Sequence, residues 1–413
     1  MPGRMSQSIR RGCVSLLLVG VSTVSAAAGQ TTTATLQGRV VDATGAGLAS
    51  ARVVVAGARG ARETAADPEG FYHLPSLLPG AYTVTASRTG LQAAVIENVT
   101  LFVGRTVTLR ITLDVALAEQ ITVQAGAPTL DRSRSSVAGM INERVIAHMP
   151  VNGRDYLDLT QLTPGVVVNP SAGATAPTSV DTTGAILGER AGNVSFLVDG
   201  LSNNDGFRGG PLQSLTLDAV QEFEVVATGY KAEFGQGAGG IINVITKSGT
   251  NQVVGDAFLF LRNDAVDASN VEGSPPPELA RYDVGAALGG PVVEDSSWYF
   301  GSFEFISESR GSLFPSDIPA VLADREDLGQ RPETKNARVF GRVTQRVGAR
   351  HELGVLAGAE RLERRHQLGS GSVLPSASTD TRSVTFRVSP TLTTQLGGRA
   401  VLESMVGIRF GVR

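Results

Sequence analysis

Gln221–Asp267 reads QEFEVVATGYKAEFGQGAGGIINVITKSGTNQVVGDAFLFLRNDAVD, and its punctuation divides the chain. Phe223 and Val225 alternate with Glu222 and Glu224, the pattern of a half-buried strand. Four glycines follow at short spacing (Gly235, Gly237, Gly239, Gly240), then the apolar run Ile241–Ile245 and a polar turn over Lys247–Asn251. A second run, Ala257–Leu261, is apolar on both faces. The stretch predicts the last strand of a compact domain, a glycine-rich hand-over and the first strand of something larger. Gly235, Gly237, Gly239, Gly240, Asn243, Lys247, Ser248 and Gly249 form the expected junction.

The chain has 413 residues, enough for two or three domains. A net charge of −3 with 5% aromatic residues leaves no electrostatic footprint for nucleic acid. Met1–Gln30 has the layout of a secretory signal peptide: Arg4, Arg10 and Arg11, then apolar Val14–Val24, then Ala26–Ala28. Cleavage is expected after Ala28, which assigns residues 1–28 to the leader. The apolar run is too short to span a bilayer as a helix. The one cysteine, Cys13, lies inside this leader, so the exported chain is expected to be free of disulfides and thiol chemistry.

Residues 31–117 read as one small all-β domain. Leu36, Gly38 and Val40 alternate with Gln37 and Arg39; Ala51, Val53 and Val55 follow; Val107, Leu109, Ile111 and Leu113 alternate with Thr106, Thr108, Arg110 and Thr112. Asp67-Pro68-Glu69-Gly70 is a turn, with proline presetting φ and glycine accepting a positive φ. Short strands at this spacing predict a β-sandwich with Phe71 and Tyr82 in its core. Glu119–Ala125 is an extended β-branched run outside that pattern. In residues 127–250, Ile141–Ile146 and Leu157–Leu162 read as short helices, and Asn169–Thr183 as a loop. Ser195–Gly200 reads as a buried strand and turn, and Leu215–Val220 as a helix-to-strand step. Beyond Gln252 long alternating strands begin. Arg338, Arg342 and Arg346 share one face against Val339, Gly341, Val343 and Val347; Ala400, Leu402, Val406, Ile408 and Phe410 lie opposite Glu403 and Arg409. This separation suits a barrel wall between water and lipid, and equally a soluble sheet with one wet face.

GRVVDATGAGLASARVVV with DPEGFYHLPSLLPGAYTVTASRTG resembles the carboxypeptidase regulatory-like domain, a transthyretin-like sandwich. Met149–Tyr156, Ser195–Gly200, Leu215–Val220 and the Gln221–Asp267 stretch resemble, in order, the plug of Oar-like TonB-dependent outer-membrane receptors. Gly289–Asp295 with Trp298-Tyr299-Phe300 resembles a hairpin of their barrel, whose aromatics would sit in an interfacial girdle. The resemblance implies a mainly β chain: a transthyretin- or Ig-like β-sandwich (31–117), a linker (118–126), an α+β plug domain (127–250) and an antiparallel transmembrane β-barrel (251–413). It implies that Glu119, Ile121, Thr122, Val123 and Ala125 act as a TonB box, pairing edge-on with a strand of the energiser TonB. An ordinary final strand or linker is the other reading of that run. Outer-membrane lipid and a small ligand are the remaining implied partners; siderophore, oligosaccharide, peptide and cobalamin-like ligands all stay open.

A plugged barrel of this kind has roughly 22 strands. At about 9–11 residues per strand, closure needs far more chain than follows Thr250. About seven strands are expected there, so the barrel is expected to be incomplete. The alternative function is a secreted or periplasmic carbohydrate- or ligand-binding sandwich followed by a barrel remnant that does not transport.

No catalytic constellation survives inspection, and no cofactor is expected. Gly235–Gly240 satisfies G-x-G-x-x-G, but a strand follows where a dinucleotide site needs a helix N-terminus. His73, His148, His351 and His366 lack the glutamate of a His-x-x-Glu zinc pair. Asp199, Asn203, Asn204 and Asp205 offer oxygen ligands but not the twelve-residue calcium register, so a solvated turn is expected.

Overall fold

The computed structural model describes residues 32–114, 121–124, 136–149, 154–168, 184–186, 193–206, 210–230, 237–267, 278–311, 331–348, 350–367, 378–396 and 400–412, with a few single positions between. The expected leader over Met1–Gln30 and the expected loop over Asn169–Thr183 lie outside these residues. Three bodies follow one another: a sandwich, a mixed sheet and a wide antiparallel wall.

The sandwich packs a three-stranded sheet of β4 (Phe71–Leu77), β1 (Ala34–Asp42) and β7 (Thr106–Leu113) on a second sheet. The second runs β3 (Gly60–Ala65), β2 (Arg52–Gly57), β5 (Gly80–Ser87), β6 (Ala94–Leu101) and β8 (Ile121–Gln124). Leu36, Val40, Val53, Val55, Ile111 and Leu113 point into its core, as their alternation requires. The Asp67 carboxylate accepts from Glu69 N (3.1 Å) and Phe71 N (2.8 Å), which closes the turn at Gly70. Phe71 itself does not enter the core: it is 54% exposed under the Arg39 guanidinium, and its neighbour Tyr72 is the buried ring. A strand's period of two makes this an error of one residue. Tyr72 donates its hydroxyl to Leu109 O at 3.0 Å. Tyr82 is only half-buried and donates to Leu78 O. The Ile121–Gln124 run, expected outside the sandwich, adds parallel to β6.

In the mixed sheet, β13 (Leu201–Ser202), β12 (Ser195–Val198), β15 (Ile241–Thr246), β14 (Val220–Thr228) and β9 (Val137–Asn142) lie side by side. The expected helix over Ile141–Ile146 starts later, because Ile141 and Asn142 still pair with Phe223 and Glu222 on β14. Helix α1 spans Glu143–His148, and the Asn142 side chain caps it by accepting from Val145 N. A 3-10 helix covers Tyr156–Leu162, a two-stranded ribbon of β10 (Val166–Val168) and β11 (Gly184–Ile186) follows, and a 3-10 helix over Leu217–Ala219 leads into β14. The half-buried reading of β14 fails: Glu222 and Glu224 are each 3% exposed, and Glu222 accepts from Val103 N of the sandwich on the face away from Phe223.

The wall is a run of antiparallel strands: β16 (Val254–Asn263), β17 (Leu279–Val293), β18 (Ser297–Arg310), β19 (Glu333–Val347), β20 (His351–Gln367) and β21 (Thr379–Leu396). The stretch expected to form one last strand is broken into β22 (Ala400–Met405) and β23 (Ile408–Val412), both paired with β21. Val284, Leu288, Phe303, Val339, Val343, Val355 and Val388 are exposed on one face. Asp283, Glu304, Arg338, Thr344 and Glu360 are buried on the other, against the mixed sheet. Connections alternate in length, short from Val293 to Ser297 and Val347 to His351, long from Arg310 to Glu333. In outer-membrane barrels the short turns are periplasmic and the long loops external. The aromatics of the β17–β18 hairpin do not form a girdle. Trp298 is fully buried and Phe300 8% exposed, both on the inner face, and only Tyr299 looks outward.

The sandwich core contains sandwich residues alone. Residues 32–114 expressed by themselves should therefore give a soluble, cooperatively unfolding domain. Leu36→Ala should lower its unfolding free energy by about 2–5 kcal/mol in urea titrations followed by circular dichroism.

Candidate functional site

The junction between mixed sheet and wall is held by both packing and charge; of the residues expected there Lys247, Ser248 and Gly249 reach it, whereas Gly237, Gly239, Gly240 and Asn243 lie inside the mixed sheet. One apolar cluster runs through Tyr156, Phe196, Phe223, Val225 and Val244 into Ala287, Phe300, Phe340 and Leu356 of the wall. Tyr156 meets Phe223 edge-on, with ring centroids 5.9 Å apart. Burial pushes the Tyr156 hydroxyl up, the Asp155 charge adding to the rise.

Between β14 and β15 the backbone turns through the glycine cluster. Gly240 adopts a φ of 121°, and a Cβ there would meet Val226 O and Ile186 Cδ1 at 3.0 Å, so no other residue fits without movement. Gly237 and Gly239 are also crowded, while Gly235 faces open space. Farther on, a Cβ on Gly249 would lie 2.2 Å from Tyr299 O: the chain leaves the mixed sheet by sliding against β18. Asn243 is buried with its Oδ1 near Gly200 N at 3.4 Å. Lys247 pairs with Glu143 at 3.0 Å. Ser248 lines a cavity next to the junction.

The Asp199 turn is buried, not solvated. Asp199 accepts from Thr246 N (2.9 Å) and Thr246 Oγ1 (2.6 Å), and Arg342 of the wall lies 3.5 Å from it. Asn203 donates to Gln213 O and accepts from Arg387 of the wall at 2.6 Å. Asn204 accepts from Phe196 N. These oxygens are consumed inside the fold. Among the described residues no cluster of histidine, cysteine and carboxylate groups could hold a metal.

Sequence reading missed the centre of the junction. Arg154, at a φ of 55°, aims its guanidinium between Asp218 of the mixed sheet (2.6 Å) and Glu304 of the wall (3.5 Å). It lies 3.8 Å from the Phe258 ring centroid on β16. Glu304 also accepts from Arg338 at 3.1 Å, and Arg338 approaches Glu360 at 3.6 Å. Glu360 in turn accepts from Ser214 N at 2.9 Å and from Asn336 at 3.0 Å. The signal was present in the sequence as charges on the strand face opposite the exposed valines.

Three family models match this architecture: the Carboxypeptidase regulatory-like domain over residues 35–114, the TonB-dependent Receptor Plug Domain over 141–241 and the Outer membrane beta barrel domain over 245–349. The chain carries the modules of a TonB-dependent outer-membrane receptor. Its mixed sheet is the plug, and its wall is barrel. The TonB-dependent transporter Oar of Myxococcus xanthus is 28% identical over 289 residues, covering 65% of this chain and 26% of Oar. The outer membrane transporter YddB from Escherichia coli superposes with a TM-score of 0.52 at 13% identity, over 66% of this chain and 38% of YddB. The siderophore receptor PirA from Acinetobacter baumannii gives 0.50 at 18% identity, over 68% and 40%. The chain thus spans about a quarter of Oar's length and about two-fifths of each solved structure. A plug and wall sharing one core do not favour a free binding sandwich with a remnant behind it.

The TonB-box expectation lies partly outside the described residues, at Glu119 and Ala125. Ile121, Thr122 and Val123 are in β8, in register with Ala94, Val95 and Ile96.

Two measurements probe this junction. Arg154→Ala leaves Glu304 short of a cation and should destabilise the plug by about 3–5 kcal/mol, read as a lower plug unfolding midpoint in detergent while the barrel keeps its heat-modifiable gel mobility. Glu222 accepts from Val103 N of the sandwich at 2.6 Å. Burial raises its pKa to about 7; the Val103 N–H and Arg105 charge oppose this and the Glu224 charge adds to it. The folded state therefore holds the proton more tightly than the unfolded one, and stability falls as pH rises from about 4.5 to about 7. Thermal unfolding should be higher at pH 5 than at pH 7.5, and Glu222→Gln should flatten the difference.

Proposed function

We propose that the chain forms the sandwich, plug and part of the wall of a receptor that takes up a small solute across the outer membrane, energised by TonB. The observation that carries this reading is the plug seated on the inner, charged face of a wall whose outer face is apolar. In such an arrangement the plug blocks the lumen and must shift for solute to pass. The plug–wall contact includes the Arg154–Glu304 ion pair at 3.5 Å, and each member has a second partner, Asp218 and Arg338, to hold it when the pair parts.

Glu119, Ile121, Thr122, Val123 and Ala125 would supply the TonB contact. An extended segment binds by main-chain hydrogen bonds to an added strand, and its demands on side chains are modest. The support is local: Ile121–Gln124 already lies extended and pairs through its backbone, with β6 its only partner strand among the described residues. Tension on it would reach β9 and so the edge of the plug sheet, since β9 is the next described strand.

Cell fractionation and uptake test the reading together. The protein should appear in outer-membrane fractions. Ferric siderophores serve as the first probes, beside oligosaccharides and cobalamin. Deleting residues 119–125 should leave probe binding intact and abolish energy-dependent uptake, as should loss of TonB. Uptake indifferent to both changes would sink the energised mechanism, and recovery as a soluble periplasmic protein would sink the receptor itself.

A further inference from the structure

The sandwich reaches the other two bodies through polar groups. Arg59 sits in the turn between β2 and β3, yet is only 8% exposed. Its Nε donates to Gly249 O at 2.8 Å, where the plug hands over to the wall. One Nη pairs with Glu352 on β20 and the other donates to Thr344 on β19, each at 3.3 Å. The guanidinium stacks 4.7 Å from the centroid of the Trp298 ring on β18. Trp298 donates to Asn251 Oδ1 at 2.7 Å, and Asn251 N donates to Ala58 O at 2.9 Å. Trp298 and Thr344 are buried on the wall's inner face, so the hairpin tip enters the barrel mouth instead of resting on the lipid side. The neighbouring turn of the wall, Glu294–Ser296, is one of the short ones that mark the periplasmic end.

Two further contacts spread the attachment. Thr33 and Ser76 donate to Glu403 on β22 at 3.2 and 3.5 Å, and Val103 N donates to Glu222 of the plug. Where the three bodies meet they bound a cavity of about 390 Å³, lined by Pro79 and Tyr82, by Lys247 and Ser248, and by Phe300 and Arg342. The apolar clusters divide differently. Plug and wall share one, and the sandwich keeps its own. Interfaces between domains that are small and polar permit relative motion, whereas a shared core resists it.

We infer that the sandwich is a second gate, a lid held over the periplasmic mouth of the barrel by Arg59, closing behind the plug the path by which a solute leaves. What passes the gate rests on the uptake reading above; the docking does not. Arginine suits the post because one planar guanidinium serves a carbonyl, a hydroxyl, a carboxylate and an indole at once. Burial lowers the Arg59 pKa to about 10, with the Glu352 charge opposing the drop, so it stays cationic at neutral pH. When the lid lifts, these groups become available to water, and no apolar core is opened.

The test places a single thiol in the cavity. In a Cys13→Ser background, Ser248→Cys is labelled with a bulky polyethylene-glycol maleimide from the periplasmic side of outer-membrane vesicles. Loss of charge-assisted hydrogen bonds shifts such an opening equilibrium by about tenfold, so Arg59→Ala should raise the labelling rate by about that factor, and Arg59→Lys by less. Glu352→Gln removes the wall's half of the ion pair without altering the sandwich, and should raise the rate in the same direction. Ala86→Cys, buried in the sandwich core, should stay unlabelled in all backgrounds, showing that the domain stays folded. Rates for Ser248→Cys that do not change in either variant would overturn the lid. Failed uptake with the expected labelling would count against the transport reading and leave the lid standing.

Discussion

A guanidinium withdrawn from water must find carboxylates, and Arg154 finds one on each side of a boundary: Asp218 on the plug and Glu304 on the wall. That requirement fixes where the plug sits. The 3-10 helix after Arg154 places Tyr156 on Phe223, and Phe223 lies on the central sheet of the plug. Glu304 is held by Arg338, and Arg338 approaches Glu360, which accepts from Asn336 and, back on the plug, from Ser214 N. The cluster is a closed circuit of charge between two bodies. Remove one member and a neighbour is left charged and dry.

Around that circuit the molecule shows two grades of attachment. Plug and wall interdigitate apolar side chains, with Phe300 and Phe340 of the wall entering the plug's own cluster. The sandwich closes its core on itself and reaches outward through Arg59, Val103, Thr33 and Ser76. The first kind of contact gives a defined resting position. The second gives a joint that can part and re-form, since hydrogen bonds lost to a partner are regained from water. A chain that has to hold a seal and also release it can use both.

The wall obeys a constraint of its own. In hydrocarbon each backbone polar group needs an internal partner, so wall strands pair in long unbroken ladders: β19 and β20 stay in register from Glu333↔Arg365 to Val347↔His351. Alternation along those ladders puts valine and phenylalanine outside and the charged circuit inside. The break between β22 and β23 at Val406–Gly407 falls where Arg409 donates to Ser202 O of the plug, so the ladder is interrupted beside a plug contact.

Local pattern was enough for most of the strands. Alternation in Leu36–Val40, Val107–Leu113 and Arg338–Val347 determined strands and their two faces, because side-chain parity acts between near neighbours; Gly235–Gly240 read as a hand-over to a larger body, yet the chain turns there from β14 back to β15 within the plug. Partners were another matter. Glu222 and Glu224 look solvent-facing in sequence but are buried in the fold, Glu222 against Val103 of the sandwich. Trp298 reads as a membrane-interface aromatic until Arg59, far away in the chain, is found stacked on it. Phe71 and Tyr72 differ by one step of the pleat, a choice made by the sheet opposite. Arg154 carries no local mark of its role at all. Sequence determines which residues share a face; which body covers that face depends on contacts hundreds of residues apart, and those exist only once the chain has folded.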